Sequence, residues 1–290
     1  MTDSAQIVHL NGRLLPIEEA TVPVLDRGFI YGDGVYEVIP VYGRVPFRMP
    51  HHLARLQRSM DGVGIDNPHA DADWERLVAE LVARQPFDDQ AVYLQVTRGV
   101  AKRDHAFPRG IRPTVFMMSN PLPLPTREQV EKGVAVITAD DNRWLRCDLK
   151  TTSLLGNVLM RELAAKAGAI ETVMFRDGFL TEASASNVLV VIGGTIVAPP
   201  KDHQILPGVT YDAAFEFARE AGLPVAVRPV TRAETLAADE MWLSSSTKEV
   251  LAVTTVDGKP FGGGVPGTMF RKMWATFQAR KPARRATATA

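Results

Sequence analysis

The chain has 290 residues, 46% of them hydrophobic, and 33 basic residues balance 33 acidic ones, so the formal net charge is +0. That balance points to neither nucleic acid nor a membrane surface as partner, and no apolar run approaches the roughly 18 residues a membrane span needs. Cys147 is the only cysteine, which excludes an internal disulfide. The first residues, Met1 to Gln6, lack a basic stretch followed by an apolar one, so a cytoplasmic location is expected.

At about 150 residues per domain, the length predicts two domains. Ile7 to Leu15 reads as a hairpin around Asn11-Gly12, a pair favoured by type I′ turns. Tyr36 to Tyr42 is a predicted strand that turns at Gly43-Arg44 into Val45-Pro46-Phe47. Leu53, Leu56, Met60 and Val63 share one face of a helix predicted over 51–64. Trp74, Leu77, Val78, Leu81 and Val82 do the same over 71–85, and strands are expected over 91–98 and 113–119. Alternating proline in Pro121-Leu122-Pro123-Leu124-Pro125 holds the backbone extended and suits an interdomain linker. The expected division is a domain at 1–120, a linker at 121–126, a domain at 127–280 and a fraying tail at 281–290. The second half reads as a short helix from Arg127, a strand over 134–138, a helix over 154–167 stopped by Gly168, and a hairpin over 172–182 turning at Asp177-Gly178. A strand over 187–192, a helix from Pro207-Gly208 to Gly222, a capping box at Thr231 to Glu234 and a final strand over 241–244 follow. Mixed strands and helices in both halves predict an α/β (α+β) fold.

Five places could carry chemistry. Lys150 stands just ahead of the 154–167 helix, where an amine on a rigid junction could form a Schiff base. Glu182 closes the hairpin, where a carboxylate could keep a pyridine nitrogen protonated, and the small residues Ala183 to Ser186 after it let backbone approach something flat. Together the two suggest pyridoxal phosphate. Gly208-Val209-Thr210 opens a helix whose free N–H groups and dipole could receive a phosphate, and Ser245-Ser246-Thr247 offers similar donors. Arg55 flanks the apolar stripe of its helix and could reach a phosphate. Arg98, Lys102, Arg103 and His105 crowd one loop after a strand, a donor set that suits a carboxylate. Taken singly, each also fits a plain role: an exposed lysine, a strand end, ordinary N-capping, a solvated flank, a basic loop.

In combination and order, Leu25 to Glu37, His52 with Arg55-Leu56, Lys150, Glu182 to Asn187 and Leu206-Pro207-Gly208 resemble the fold-type IV pyridoxal phosphate enzymes, over nearly the whole chain. Within that group, Thr97-Arg98-Gly99 with Arg103 to Pro108 is similar to the D-amino acid aminotransferases. The resemblance implies a small N-terminal α/β domain and a larger C-terminal pseudo-barrel domain. It makes Lys150 the Schiff-base lysine and proton shuttle, and Glu182 the partner of the pyridine nitrogen. Arg55, Val209, Thr210, Ser246 and Thr247 would hold the phosphate, with Ser186 and Asn187 beside the cofactor. Tyr36, Arg103 and His105 would trap the substrate carboxylate, and the Arg103 loop would reach across a homodimer interface. It further implies ping-pong transfer from D-amino acids to 2-oxo acids such as 2-oxoglutarate or pyruvate. Branched-chain L-amino acid or (R)-amine transamination and aminodeoxychorismate lyase chemistry are the alternatives in the same fold. Pro40 stands where some D-amino acid enzymes carry lysine, and Ala183 and Ala185 where Gly or Ser is common.

Overall fold

The computed structural model describes residues 6–282. They divide into two units, one built from 6–122 with 149–154 and the other from 123–148 with 155–281. The tail expected from 281 lies, from residue 283 on, outside the described residues.

In the first unit, β1 (Ile7–Leu10) and β2 (Arg13–Pro16) close on Asn11 and Gly12, both at positive φ (50° and 85°) as a type I′ turn requires. Then come α1 (Arg27–Tyr31), β3 (Gly34–Tyr42), β4 (Val45–Pro46), α2 (Met49–Val63), α3 (Asp71–Ala83), β5 (Gln90–Thr97) and β6 (Thr114–Pro121). The sheet is antiparallel throughout, in the order β2-β1-β6-β5-β3-β4. Period-2 alternation puts Val35, Ile39 and Val41 of β3 on the covered face, with Leu53, Leu56 and Met60 of α2 and Trp74, Val78 and Leu81 of α3 in the same core. The same alternation sends Glu37 inward, so a carboxylate enters an apolar layer and must be paired there.

The expected division put residues 149–154 in the C-terminal domain. They belong instead with the first unit, because their backbone pairs with β3. Tyr36 N–H donates to Lys150 O at 2.9 Å, Thr152 N–H donates to Gly34 O at 2.9 Å, and Thr151 bridges Val35.

The second unit begins with α4 (Arg127–Lys132), which starts on a Thr126/Gln129 capping box. Next are β7 (Val134–Asp140), α5 (Leu155–Lys166), β8 (Glu171–Arg176), β9 (Phe179–Ala183), β10 (Asn187–Ile192), β11 (Thr195–Ala198) and α6 (Val209–Glu220). It ends with β12 (Val225–Val227), α7 (Arg232–Leu236), β13 (Glu240–Ser245), β14 (Glu249–Val256), β15 (Lys259–Pro260) and α8 (Thr268–Arg280). The strand expected to be final is thus β13, and β14 follows it after a three-residue turn. The mixed sheet runs β12-β11-β10-β13-β14-β7-β8-β9, with β15 on β14. β9 ends that path, yet only residues 184–186 separate it from β10, so the sheet curls on itself into a half-barrel. The near-continuous apolar runs of β10 and β13 follow from burial on both faces. Val188, Val190, Met241 and Leu243 fill the inner core, while Trp242 meets Phe270 of α8 edge-on at 6.4 Å. Among the described residues, no helix is long and apolar enough to cross a membrane.

Candidate active site

In the first unit, Lys150 is half-buried beside β3. Its backbone N–H donates to Ser59 Oγ at 3.1 Å, and its Nζ stands 4.1 Å from the centroid of the Tyr36 ring, within cation–π range. Tyr36 in turn stacks on Tyr93 at 5.6 Å. The other face of β3 carries Glu37, which is fully buried. Arg55 of α2 donates Nε to Glu37 Oε1 at 2.7 Å and Nη2 to Oε2 at 2.8 Å, and His52 Nδ1 lies 2.8 Å from Oε2. Burial works to raise the Glu37 pKa, but the Arg55 charge and the hydrogen bonds hold it far below the usual carboxylate range. Burial lowers the His52 pKa, so the ring is neutral and its Nδ1–H donates. Arg55, expected at a phosphate, therefore also serves this buried carboxylate.

Arg103 and His105 lie on the exposed loop between β5 and β6. Both stand by Tyr31 of α1, Arg103 with its guanidinium 5.4 Å from the ring centroid and His105 with ring centroids 5.5 Å apart. The three expected carboxylate-binding residues thus fall in two groups, Tyr36 with Lys150 and the loop pair with Tyr31. Arg98, which the sequence groups with the loop donors, is instead buried and bonded to Asp33.

In the second unit, Glu182 ends β9, buried at 5% exposure. Arg143 donates Nη1 to its Oε1 at 2.6 Å, while Asn187 Nδ2 (3.1 Å) and Leu206 N–H (3.0 Å) donate to Oε2. Arg143 also grips Asp141 with Nε and Nη2, both at 2.9 Å, and Arg176 pairs with Asp141 at 3.1 Å. Burial, the largest influence, pushes the Glu182 carboxyl above the ordinary glutamate range, and neighbouring Asp141 adds to it, while Arg143 opposes. Ser186 Oγ donates to buried Glu171 (2.8 Å), which Ser184 Oγ and Lys248 also reach.

Gly208 is the N-cap of α6, with no side-chain cap, and Val209 and Thr210 form its buried first turn. Any Cβ at Gly208 would meet Asn187 Oδ1 at 2.1 Å, so only glycine lets this turn come so close to the Glu182 group. Ser246 and Thr247 occupy the turn between β13 and β14, and α6 packs against β13. Near the end of β13, facing Asn187 in register, Ser244 carries a buried hydroxyl without a hydrogen-bond partner among the described residues. Arg143, Asp141, Glu37 and Tyr31 are participants that sequence reasoning missed. The Asp-x-Arg spacing at 141–143 was a local signal for the first two, and Tyr31 and Glu37 lie in the Leu25 to Glu37 segment, where no role was assigned to them.

The family model for class IV amino-transferases matches residues 34–256, a span that holds Lys150, Glu182, the Arg103 loop and the α6 start. The chain belongs to this family. As a class IV aminotransferase it is similar to the D-alanine aminotransferase of Bacillus licheniformis, 41% identical over 271 residues, covering 93% of this chain and 95% of that one. A D-alanine aminotransferase of Staphylococcus epidermidis is 35% identical over 272 residues, with 93% and 96% covered. Among solved structures, the Escherichia coli branched-chain amino acid aminotransferase superposes with a TM-score of 0.91 over 99% of this chain and 98% of its own, at 22% identity, a likeness of fold alone. The branched-chain amino acid aminotransferase of T.th., with pyridoxamine 5'-phosphate, gives 0.89 at 25% identity, with 97% of both chains covered. The expected fold-type IV architecture, an antiparallel N-terminal sheet and a curled mixed C-terminal sheet, is therefore the fold of this class IV aminotransferase.

Proposed function

We propose that this chain is a D-amino acid aminotransferase, moving the amino group of a D-amino acid to a 2-oxo acid such as 2-oxoglutarate or pyruvate in two alternating half-reactions. The observation that carries this is the 41% identity, nearly end to end, with a D-alanine aminotransferase. The cofactor is pyridoxal 5'-phosphate, and the donor set suits it. Lys150 supplies a primary amine. Glu182 is a buried carboxyl of raised pKa that can share a proton with a ring nitrogen. The start of α6, where Gly208 has no side chain to cap it, and the Ser244 hydroxyl, orphaned among the described residues, are donors that a phosphate could take. When bound, the cofactor supplies an electron sink for negative charge at the substrate Cα.

In this reading Lys150 Nζ holds the cofactor covalently and, once released, moves the proton at the substrate Cα. Glu182, braced by Arg143 and Asn187, keeps the ring nitrogen protonated. Val209 and Thr210, with Ser246, Thr247 and Arg55, bind the phosphate, and Ser186 and Asn187 flank the ring. Tyr36, Arg103 and His105 orient the substrate carboxylate, which turns a diffusional encounter into a positioned one. The same reading makes the enzyme a homodimer. Leu155, Val158, Leu159 and Leu163 form an exposed apolar stripe on α5, the kind of surface that association covers. It also puts the enzyme in the cytoplasm, which fractionation would test.

Purified protein should convert D-alanine and 2-oxoglutarate to pyruvate and glutamate at least about 100-fold faster than it uses L-leucine, about 2.7 kcal/mol of discrimination. Lys150→Ala should lack activity on either. Faster turnover of L-leucine would replace this reading with the branched-chain one. Pyruvate release from aminodeoxychorismate without any amino acceptor would replace it with the lyase.

A further inference from the structure

The loop between β5 and β6, residues 98–113, forms no strand or helix, and Lys102 to Phe107 are exposed. A loop this long without structure of its own is either functional or loosely held. This one is held, and by buried charge. Arg27 of α1 and Arg98 at the end of β5 converge on a single carboxylate, Asp33. Arg27 Nε donates to Oδ2 at 2.7 Å, Arg98 Nε to Oδ2 at 2.8 Å and Arg98 Nη2 to Oδ1 at 3.0 Å. Burial works to raise the Asp33 pKa, but hydrogen bonds from Arg98 and Arg27 bring it below the ordinary value, so the carboxylate is charged at neutral pH.

Each arginine then uses its remaining surface on the loop or its base. Arg27 Nη1 donates to the Asp104 carbonyl at 2.5 Å, and Arg27 N–H to the Gly99 carbonyl at 2.9 Å. Arg98 anchors itself on the Gly64 (2.6 Å) and Val63 (2.7 Å) carbonyls at the end of α2, and its guanidinium lies 3.6 Å from the Phe107 ring centroid. Gly99 sits at φ +105°, where a Cβ would meet Arg112 O at 2.0 Å, so the two ends of the loop touch at a residue that must be glycine. The carbonyl that Arg27 holds belongs to Asp104, the residue between Arg103 and His105. With that peptide turned inward, both neighbours stand at the Tyr31 ring, on which Arg27 also lies at 4.7 Å.

We propose that Arg27, Asp33 and Arg98 are positioning residues for substrate-carboxylate recognition: they fix the backbone at Asp104 and the ring of Phe107 so that Arg103 and His105 are presented together. This rests on the reading of Arg103 and His105 as the carboxylate-binding pair.

The test uses the holoenzyme with D-alanine and with D-alaninamide, which lacks the carboxylate charge, and hydrogen exchange of the 99–113 segment in protein stripped of cofactor. Arg27→Ala should raise KM for D-alanine by about tenfold or more with a smaller change in kcat, and leave KM for D-alaninamide within about twofold. Loop exchange should accelerate by about tenfold while the β3–β5–β6 sheet is unchanged. Arg27→Lys, which can reach Asp33 or the Asp104 carbonyl but not both, should fall between. Should Arg27→Ala fail to fold, Phe107→Leu, altered only on the exposed side of Arg98, should show the same pattern more weakly. Equal KM losses on both substrates, or an unaltered loop exchange, would overturn the proposal. Arg103→Ala separates the two readings. If it does not distinguish the acid from the amide, the carboxylate-binding pair is wrong, whatever Arg27 does; if it does and Arg27→Ala does not, the positioning role alone is wrong.

Discussion

Each unit buries a glutamate beside an arginine, and the two glutamates behave oppositely. Glu37 and Glu182 are both removed from water, at 0% and 5% exposure. Glu37 is nevertheless held far below the usual carboxylate range, whereas Glu182 is raised. Burial is the largest influence on both, so burial does not separate them. The partners do. Glu37 has the guanidinium of Arg55 on both oxygens and the His52 N–H besides. Glu182 receives one Arg143 nitrogen, while the other side of that guanidinium is committed to Asp141. A carboxylate gripped on both oxygens by one guanidinium is locked as an anion. One that shares its cation with a second carboxylate stays poised for a proton, which suits a partner for a ring nitrogen.

The largest effect expected from disturbing this contrast is on stability. Glu37→Gln leaves Arg55 charged and without its carboxylate in an apolar layer, and should cost about 3–5 kcal/mol in chemical denaturation. The folded pKa of Glu37 lies below its ordinary 4.5, so its contribution is present above that pH and is lost as pH falls toward the folded value. His52, lowered from 6.5, acts in the same direction, since the unfolded chain takes up its proton first. Wild-type stability should therefore drop on the acid side of pH 6.5 and again below 4.5, and the second drop should shrink in Glu37→Gln. An unchanged acid limb would remove Glu37 from the account.

Glu182→Gln should act on catalysis instead, lowering kcat by about 10²–10³-fold, the size of one preorganised electrostatic contact. Its denaturation midpoint should move less than that of Glu37→Gln, and the reverse order would break the comparison. Asp141→Asn is milder. With Arg143 left to Glu182 alone, the Glu182 carboxyl should titrate at lower pH and kcat should fall by about tenfold, read from the pH–rate profile. The smallest effect is at Cys147, whose thiol burial pushes up to about 11, with Glu182 and Asp141 adding to the rise. Its alkylation at neutral pH should be slow and should quicken a few-fold in Glu182→Gln.

The local settings of the candidate residues were legible because they depend on neighbours in the chain. Lys150 before a helix, Gly208 at a helix start and Arg103 with His105 on one loop are patterns of neighbours, and the hairpin at Asn11-Gly12 and the capping box at Thr231 appear where their residues require. The long strand after residue 245 was hidden because β14 is buried nearly throughout and shows no alternation. Assignment of 149–154 to the first unit was hidden too, since it depends on backbone pairing with β3. The ion pairs were the least visible. Arg98 resembles a loop donor in sequence, and only its distance from Asp33 shows it to be an anchor.

The sequence by itself determined which chemical groups this aminotransferase has available and which local elements carry them, because periodicity, capping and turn chemistry act over a few residues. Tertiary structure alone decided which charges meet. Arg143 reaches Glu182 across 39 positions and Arg98 reaches Asp33 across 65, and no local pattern records such pairings. Those meetings set the charge on each buried carboxyl, since in an interior of low dielectric the nearest partner outweighs the residue's own type.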